Sequence, residues 1–388
     1  MKKFDIIISG GGMIGSIAAV AATRAGLSVL LIEANENQQF DKESERELRV
    51  SAISWDNCEY LKLLGIFSNL ISSRIQSYAH MSVWDNRSNG KISFEADYSQ
   101  QKYLGCLMEN KNLIHGAWKA LKSTDNCQII EQSHIKNIEN PGQQIRIELN
   151  DGSLYKSKLL IAAEGRNSFI RQYAEIKTSG YDYKQKGLVA YIKLESAKPE
   201  TAFQSFNDGG PIGILPIDDC LYSIVWSLPL EQCNDWLTCT EEDFELGLKK
   251  AIGKDFGKIK LMSQRAAFPL TQLYAEKYFD NRIVLCGDSA HGVHPLAGQG
   301  VNLGIGDIQS LFQLLNKDIL KDDEILHLKL RKYQRRRISK VKETSEMMSF
   351  MHHLFVDDKH IKNPLRGFGL NVLDKIPLKK WFISQAGS

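Results

Sequence analysis

The chain lacks most features that would lead a first reading away from an ordinary enzyme. No run of about 18 apolar residues occurs, so no transmembrane helix is expected. Met1-Lys2-Lys3 passes directly into an apolar strand, and no cleavable signal is evident. The seven cysteines show neither CxxC nor Cys/His spacing, and their number is odd. Free thiols in a reducing compartment are expected, with no disulfide framework and no zinc site. No excess of one charge exists either: 49 basic against 46 acidic residues leave a formal charge of +3, which gives no case for nucleic acid. A GxSxG nucleophile motif is absent. The expected setting is cytoplasmic or the inner face of a membrane. At 388 residues the chain has room for two domains, or for one large domain with an insertion.

What is present begins at the N-terminus. Phe4 to Ile8 reads as a short apolar strand, with Ile6, Ile7 and Ile8 β-branched. It runs into a GxGxxG carried by Gly10, Gly12 and Gly15, followed by a small-residue helix that ends near Gly26. A second strand, Val29 to Ile32, closes on Glu33, eighteen residues after Gly15. Strand, glycines, helix, strand and acid in this order fit a dinucleotide-binding unit. The acid suits a ribose hydroxyl and repels a 2′-phosphate, so FAD or NAD fits better than NADP.

A second glycine-marked region lies between Leu285 and Gly304. Arg282 to Cys286 reads as a buried strand ended by Gly287 and Asp288. Gly298, Gln299 and Gly300 read as a turn, with glycine meeting a need for positive φ or close ligand approach. The helix after it carries Val301, Leu303, Ile305, Ile308, Leu311 and Leu314. Its start offers free N–H groups to an anion or an electron-rich ring.

Between these regions, residues 34 to 50 read as a polar loop, and Arg49 to Ser54 leads into a helix ending at Gly65. Arg49 suits either a cofactor diphosphate or water. Residues 76 to 95 alternate as strands do, and a helix is expected from about Lys111 to Lys122. Residues 128 to 150 suggest a hairpin, and Leu159 to Ala162 a buried strand that meets Ala163-Glu-Gly-Arg-Asn-Ser168. From Gly187 to Leu230, short alternating segments suggest an antiparallel sheet inserted into the nucleotide-binding unit. Tyr222, Trp226 and Phe206 are candidates for an aromatic substrate pocket, with core packing the safer reading. His291 and His294 read either as acid–base groups or as structurally bonded histidines.

Together these pieces resemble the class A flavoprotein hydroxylases, whose three fingerprints match GxGxxG with Glu33, Ala163 to Ser168 with Arg171, and Gly287-Asp288. His294 to Gly304 resembles more narrowly the signature of the ubiquinone-biosynthesis hydroxylases, closest in look to the demethoxy-quinol hydroxylase branch. Arg49 to Ser54, Met108-Glu109-Asn110, Leu215-Pro216, Val225-Trp226 and Tyr333 four before Arg337 support it. Two departures stand out: Glu164 where the middle fingerprint usually has Asp, and Gly306 where an Arg commonly precedes the Asp that is Asp307 here.

The resemblance implies an α/β fold: a Rossmann-like FAD-binding domain, an inserted antiparallel β-sheet substrate domain and a C-terminal helical segment. The expected division gives 1–75, 100–180 and 270–340 to the cofactor, 76–99 and 181–269 to the substrate, and 341–388 to the C-terminal segment. Implied cofactor-binding residues are Gly10, Gly12, Gly15, Glu33, Arg49, Asn110, Gly165, Gly287, Asp288, Gly298, Gly300, Val301 and Asn302. Asp288 would bond the ribityl chain. The backbone of Gly298, Gln299 and Gly300 would hold the flavin's pyrimidine edge, and Pro295 would lie on its face. The implied reaction hydroxylates a polyprenyl phenol or benzoquinol through a flavin C4a-hydroperoxide, with NAD(P)H as transient reductant and O2 as cosubstrate. No metal is implied. Two other readings stay open, a reductase or oxidase of the same fold and a non-catalytic subunit working with other ubiquinone-biosynthesis proteins. The segment from Leu365 to Ile383 mixes apolar residues with Lys375, Lys379, Lys380 and Trp381, which suits contact with an anionic membrane surface or packing on the protein.

Overall fold

The computed structural model describes residues 1–355 apart from 38, 87–89, 100, 141, 208–209 and 293–298. Its centre is a sheet with five parallel strands, ordered β19 (Ile283–Leu285), β11 (Leu154–Ala162), β1 (Lys2–Ser9), β2 (Val29–Ile32) and β8 (Cys127–Ile130). The antiparallel strand β18 (Phe279–Asp280) closes one edge, while β9 (Ile135–Glu139) and β10 (Ile145–Leu149) extend from β11. Parallel strands are covered on both faces, and their sequences are accordingly continuous apolar runs. Ile6, Ile7 and Ile8 all have 0% exposure, each burial contributing roughly 1.5–3 kcal/mol.

The helix α1 (Met13–Arg24) follows β1 and is built of small residues because it is packed on several sides. An added Cβ at Gly15 would stand 1.8 Å from the Gly10 carbonyl oxygen, so only glycine allows this helix so near the strand. Helix α3 (Asn110–Lys122) turns Leu113, Ala117, Trp118 and Leu121 into the same core.

A second, nine-stranded sheet runs β20 (His291–Gly292), β17 (Ala266–Ala275), β12 (Thr178–Leu194), β15 (Leu221–Pro229), β14 (Ile212–Pro216), β13 (Thr201–Phe206), β5 (His80–Asp85) and β6 (Lys91–Glu95). The strand β16 (Ile259–Leu261) pairs with β12 beside this path. One face is covered by α5 (Leu230–Thr238) and α6 (Glu241–Ile252), which pack Cys233, Phe244, Leu248 and Ile252 onto it.

A third sheet, β3 (Val50–Ser54), β7 (Gly105–Glu109) and β4 (Ile75–Tyr78), lies between them in sequence, with α2 (Trp55–Leu63) following β3. Short α4 (Phe169–Tyr173) follows β11. Helix α7 (Gln299–Phe312) packs on α1, and α8 (Asp323–Phe355) packs on α7. This is the expected mixed α/β fold: a Rossmann-like parallel sheet, an antiparallel sheet and a C-terminal helix. By sheet membership we propose to move residues 76–78 to the cofactor side, since β4 pairs with β7. Helix α8 continues through the division expected at 340/341.

Candidate FAD site

The first turn of the site is fixed by its own backbone. Gly10 has φ +98°, and a Cβ there would meet the Ala163 carbonyl oxygen at 2.4 Å. Glu33, at the end of β2, accepts hydrogen bonds from the Gly11 N–H at 2.6 Å and the Asn35 N–H at 3.0 Å. The Trp118 indole N–H donates to the Gly11 carbonyl at 2.9 Å. Gly12 caps α1 without a side-chain bond, and the first turn of α1 holds no acid. Its N-terminal dipole is therefore left for an anion.

The second turn comes from β19. The Gly287 N–H donates to Asp307 Oδ2 at 2.8 Å with φ +58°, and Asp288 turns outward with its side chain 45% exposed. Arg166 Nε stands 3.5 Å from Asp288 Oδ2. Arg171 ties the turns together, donating to the Ser289 carbonyl at 3.0 Å and the Arg166 carbonyl at 2.5 Å.

Helix α7 begins at Gln299, so Gln299 and Gly300 belong to its first turn, correcting the expectation of a turn that ends at Gly300. Gly300 is not among the positive-φ glycines, so its value lies in lacking a side chain rather than in backbone freedom. Among the described residues, a Cβ there would meet only Asp288 Oδ1 at 4.0 Å, and one at Gly12 would meet nothing within 4 Å. Room at Gly12 beside an uncapped helix start, and a carboxylate near Gly300, fit a dinucleotide cofactor. Pro295, Gly298 and His294 lie outside the described residues, as does the segment from Leu365 to Ile383.

Several expected ligands are engaged by the protein through their side chains. Asn302 Oδ1 accepts from the Ser54 N–H at 3.0 Å and Asn57 Nδ2 at 2.9 Å, and its amide donates to the Ala52 carbonyl at 2.8 Å. Asn110 Oδ1 accepts from the Ser51 hydroxyl at 2.6 Å. Val301 packs against the core, and Gly165 has φ +80° with open space around it. Arg49 lies 5.2 Å from the Phe268 ring centre, a cation–π contact between the cofactor loop and the second sheet. Glu164 accepts from the Ser9 and Ser168 hydroxyls at 2.7 and 2.6 Å and from the Ile170 N–H at 3.0 Å. Its longer side chain fastens α4 to β1.

Two buried ionic groups were not legible as site supports. Asp307, fully buried on α7, accepts from Arg337 Nε and contacts His291 Nε2, both at 2.7 Å. Burial pushes its carboxyl up, but His291, Arg337 and the Gly287 N–H outweigh this and hold it below the usual carboxylate range. His291 also stacks on Tyr278 at 5.8 Å, so its bonded, structural reading is the one the geometry carries. Arg74 makes a bidentate pair with Glu109, at 2.9 Å on both arms, and its other nitrogen holds the Asp41 and Ser44 carbonyls. That pair anchors the 34–50 loop. The sequence signals were Glu109 within Met108-Glu-Asn110, and Asp307 and Arg337 at motif positions of the resemblance, none of them showing its partner.

Register decides which face of the second sheet meets the site. Leu188, Ala190, Ile192, Tyr222, Ile224 and Trp226 share a cluster with α5 and α6. Side chains alternate along a strand, so Val189, Tyr191, Ser223 and Val225 occupy the other face, and Tyr191 donates its hydroxyl to the Glu47 carbonyl. Tyr222 and Trp226 are thus core residues behind the sheet. Phe206 packs with Val83 and Ile92.

The FAD binding domain family model matches residues 3–345. The ubiquinone biosynthesis monooxygenase COQ6 of Rattus norvegicus is 33% identical over 362 residues, covering 81% of this chain and 75% of that protein. The 3-demethoxyubiquinol 3-hydroxylase of Escherichia coli is 29% identical over 336 residues, covering 86% and 85%. Among solved structures, PqsL, a probable FAD-dependent monooxygenase of Pseudomonas aeruginosa, matches with TM-score 0.76 at 19% identity, over 96% of this chain and 100% of its own. The p-nitrophenol 4-monooxygenase PnpA of Pseudomonas putida matches with TM-score 0.79 at 13% identity, over 100% and 99%, a likeness of fold. With its glycine turns, its three-sheet architecture and these relatives, the chain belongs to the FAD-dependent monooxygenases of the ubiquinone-biosynthesis hydroxylase family.

Proposed function

We propose that the protein hydroxylates the aromatic ring of a polyprenyl phenol or benzoquinol intermediate, with NAD(P)H as transient reductant and O2 as cosubstrate. The observation that carries this reading is the uncapped start of α1 at Gly12 together with Gly300 in the first turn of α7, where a Cβ would stand 4.0 Å from Asp288 Oδ1. FAD supplies hydride acceptance and oxygen activation when bound. The chain's own residues hold it and shield the reaction. The α1 N-terminus takes the diphosphate, Glu33 the ribose hydroxyls, Asp288 the ribityl hydroxyls, and the first N–H groups of α7 the electron-rich edge of the ring.

The substrate ring then lies on the site-facing side of the second sheet, over Val189, Val225 and Phe268, with Tyr191 at its border. These apolar groups exclude water from the oxygen-transfer step. The E. coli relative, a 3-demethoxyubiquinol 3-hydroxylase, supports a demethoxy-quinol as substrate. Among the described residues no helix is long and apolar enough to cross a membrane. A polyprenyl substrate would then be met at a membrane surface, on the cytoplasmic side.

The test supplies heavy-isotope dioxygen to the FAD-loaded protein with NAD(P)H and a short-chain quinol analogue. Label appearing in the product ring supports the monooxygenase reading. Reduced or oxidised quinol without label would make the protein a reductase or oxidase, and a purified protein that takes up no FAD on loading would make it a non-catalytic subunit.

A further inference from the structure

Two cysteines from different elements meet beside the cofactor support. Cys58 lies in the first turn of α2 and Cys106 near the start of β7, with their Sγ atoms 2.7 Å apart. Both are 3% exposed. A disulfide needs an S–S separation of about 2.05 Å, so a shift of well under 1 Å brings the sulfurs to bonding distance. None of the other free cysteines has a second thiol as a partner among the described contacts.

We propose that Cys58 and Cys106 are a covalent modification site, a dithiol that closes to a reversible disulfide when peroxide reaches it. The balance is simple. One sulfur, as thiolate, attacks a peroxide oxygen, and the O–O bond breaks to leave a sulfenic acid and water after protonation. The second sulfur attacks the sulfenic sulfur, its proton leaves with the departing hydroxyl as water, and the S–S bond forms. Two thiols and one hydrogen peroxide thus give one disulfide and two waters.

The roles within the pair are unequal. Its contact with Cys58 and its burial push the Cys106 thiol up, which suits Cys106 to the second step, attack on the sulfenic sulfur. Cys58 is also next in sequence to Asn57, whose amide donates to both Asn302 oxygens. Asn302 stands in the first turn of α7. A bond between α2 and β7 therefore fixes, through Asn57, the helix start that faces Asp288. Peroxide is the product a flavin monooxygenase releases when oxygen transfer fails, so the modifying oxidant is of a class that this family's own reaction chemistry supplies.

The test treats the FAD-loaded protein with hydrogen peroxide, caps remaining thiols with N-ethylmaleimide, and maps peptides by mass without reduction. The expected result is a Cys58–Cys106 linked peptide, two hydrogens lighter than the sum of its parts, which disappears on dithiothreitol treatment. Native cysteines recovered capped at both positions while exposed Cys220 is oxidised would overturn the proposal. So would sulfonic acid at either position without linkage. The wild-type map decides the matter without any variant. Cys106→Ser adds a second reading: its Cys58 should accumulate as a stable sulfenic acid, trapped by dimedone, and a Cys58 that stays unlabelled there would count against the assigned attacker.

Discussion

Arg337 Nε stands 2.7 Å from Asp307 Oδ1 with the carboxylate fully buried, so α8 is joined to α7 by an ion pair directly under the Gly287 turn. Breaking it from one side leaves a buried charge behind. Asp307→Ala should cost about 3–5 kcal/mol in denaturant unfolding, and Asp307→Ala with Arg337→Met should recover much of it. If the single and double variants unfold alike, the pair is not the source of the coupling.

The same carboxylate sets a pH window. Its folded value lies below the ordinary one near 3.9, so its stabilisation is fully present above about pH 4 and is lost as pH falls through the folded value. Asp5, bonded to Ser28 and Lys158, behaves in the same sense. Unfolding free energy measured from pH 6 down to pH 3 should fall more steeply in the native protein than in Asp307→Asn. Parallel curves would remove Asp307 from the acid response.

Two glycines of one motif should fail in different ways. Gly15→Ala places a methyl against the Gly10 carbonyl, so the folded state itself should be lost or strongly destabilised. Gly12→Val places its side chain in open space, so circular dichroism and melting should change little while FAD retention drops at least ten-fold. Equal FAD content in a folded Gly12→Val protein would remove this turn from the cofactor site.

At the opposite rim, Asp288→Ala should weaken FAD binding by about 1.5–3 kcal/mol, the scale of a hydrogen bond to a charged group. Gly300→Val should keep its fold, since among the described residues the new Cβ would approach only Asp288 Oδ1, at 4.0 Å, yet lower the ratio of hydroxylated product to NAD(P)H consumed and release peroxide. Wild-type coupling in an FAD-replete Gly300→Val protein would place the ring elsewhere.

The candidate cofactor turns were legible because their parts are local in sequence. Gly10 to Gly15 with Glu33 fall within one strand–helix–strand unit, and Gly287 with Asp288 in one strand–turn segment, where spacing narrows the geometry. The supports were not. Arg74 and Glu109, or Asp307 and Arg337, are ordinary charges until tertiary structure brings them together. The face of the second sheet was ambiguous for a different reason. From Leu188 to Ile192 β12 is buried on both sides, so no polar alternation separates the side toward α5 and α6 from the side toward the cofactor. Aromatic residues drew attention to Tyr222 and Trp226, yet register puts them on the far side. The helix start was misplaced by two residues because glycine reads as a turn even where, as at Gly300, it sits in the first turn of a helix.

The parallel pairing of β1, β11 and β19 also dictates an order of assembly. Ile6 lies against Leu159, and Leu160 against Ile283, so neighbours in the central sheet are made far apart in time on the ribosome. The β14–β15 hairpin, with Ile214 against Ile224, needs only a few residues to close. Long-range parallel contacts form slowly because the loop entropy must be surrendered before they stabilise anything. Amides of β14 and β15 should therefore gain protection before those of β1 in pulse-labelled hydrogen exchange during refolding. A β1 protected first would reverse this order. Until Ile283 emerges, the nascent protein carries Ile6 to Ile8 without the full sheet that covers them, and its exposure to aggregation is set by how long that wait lasts.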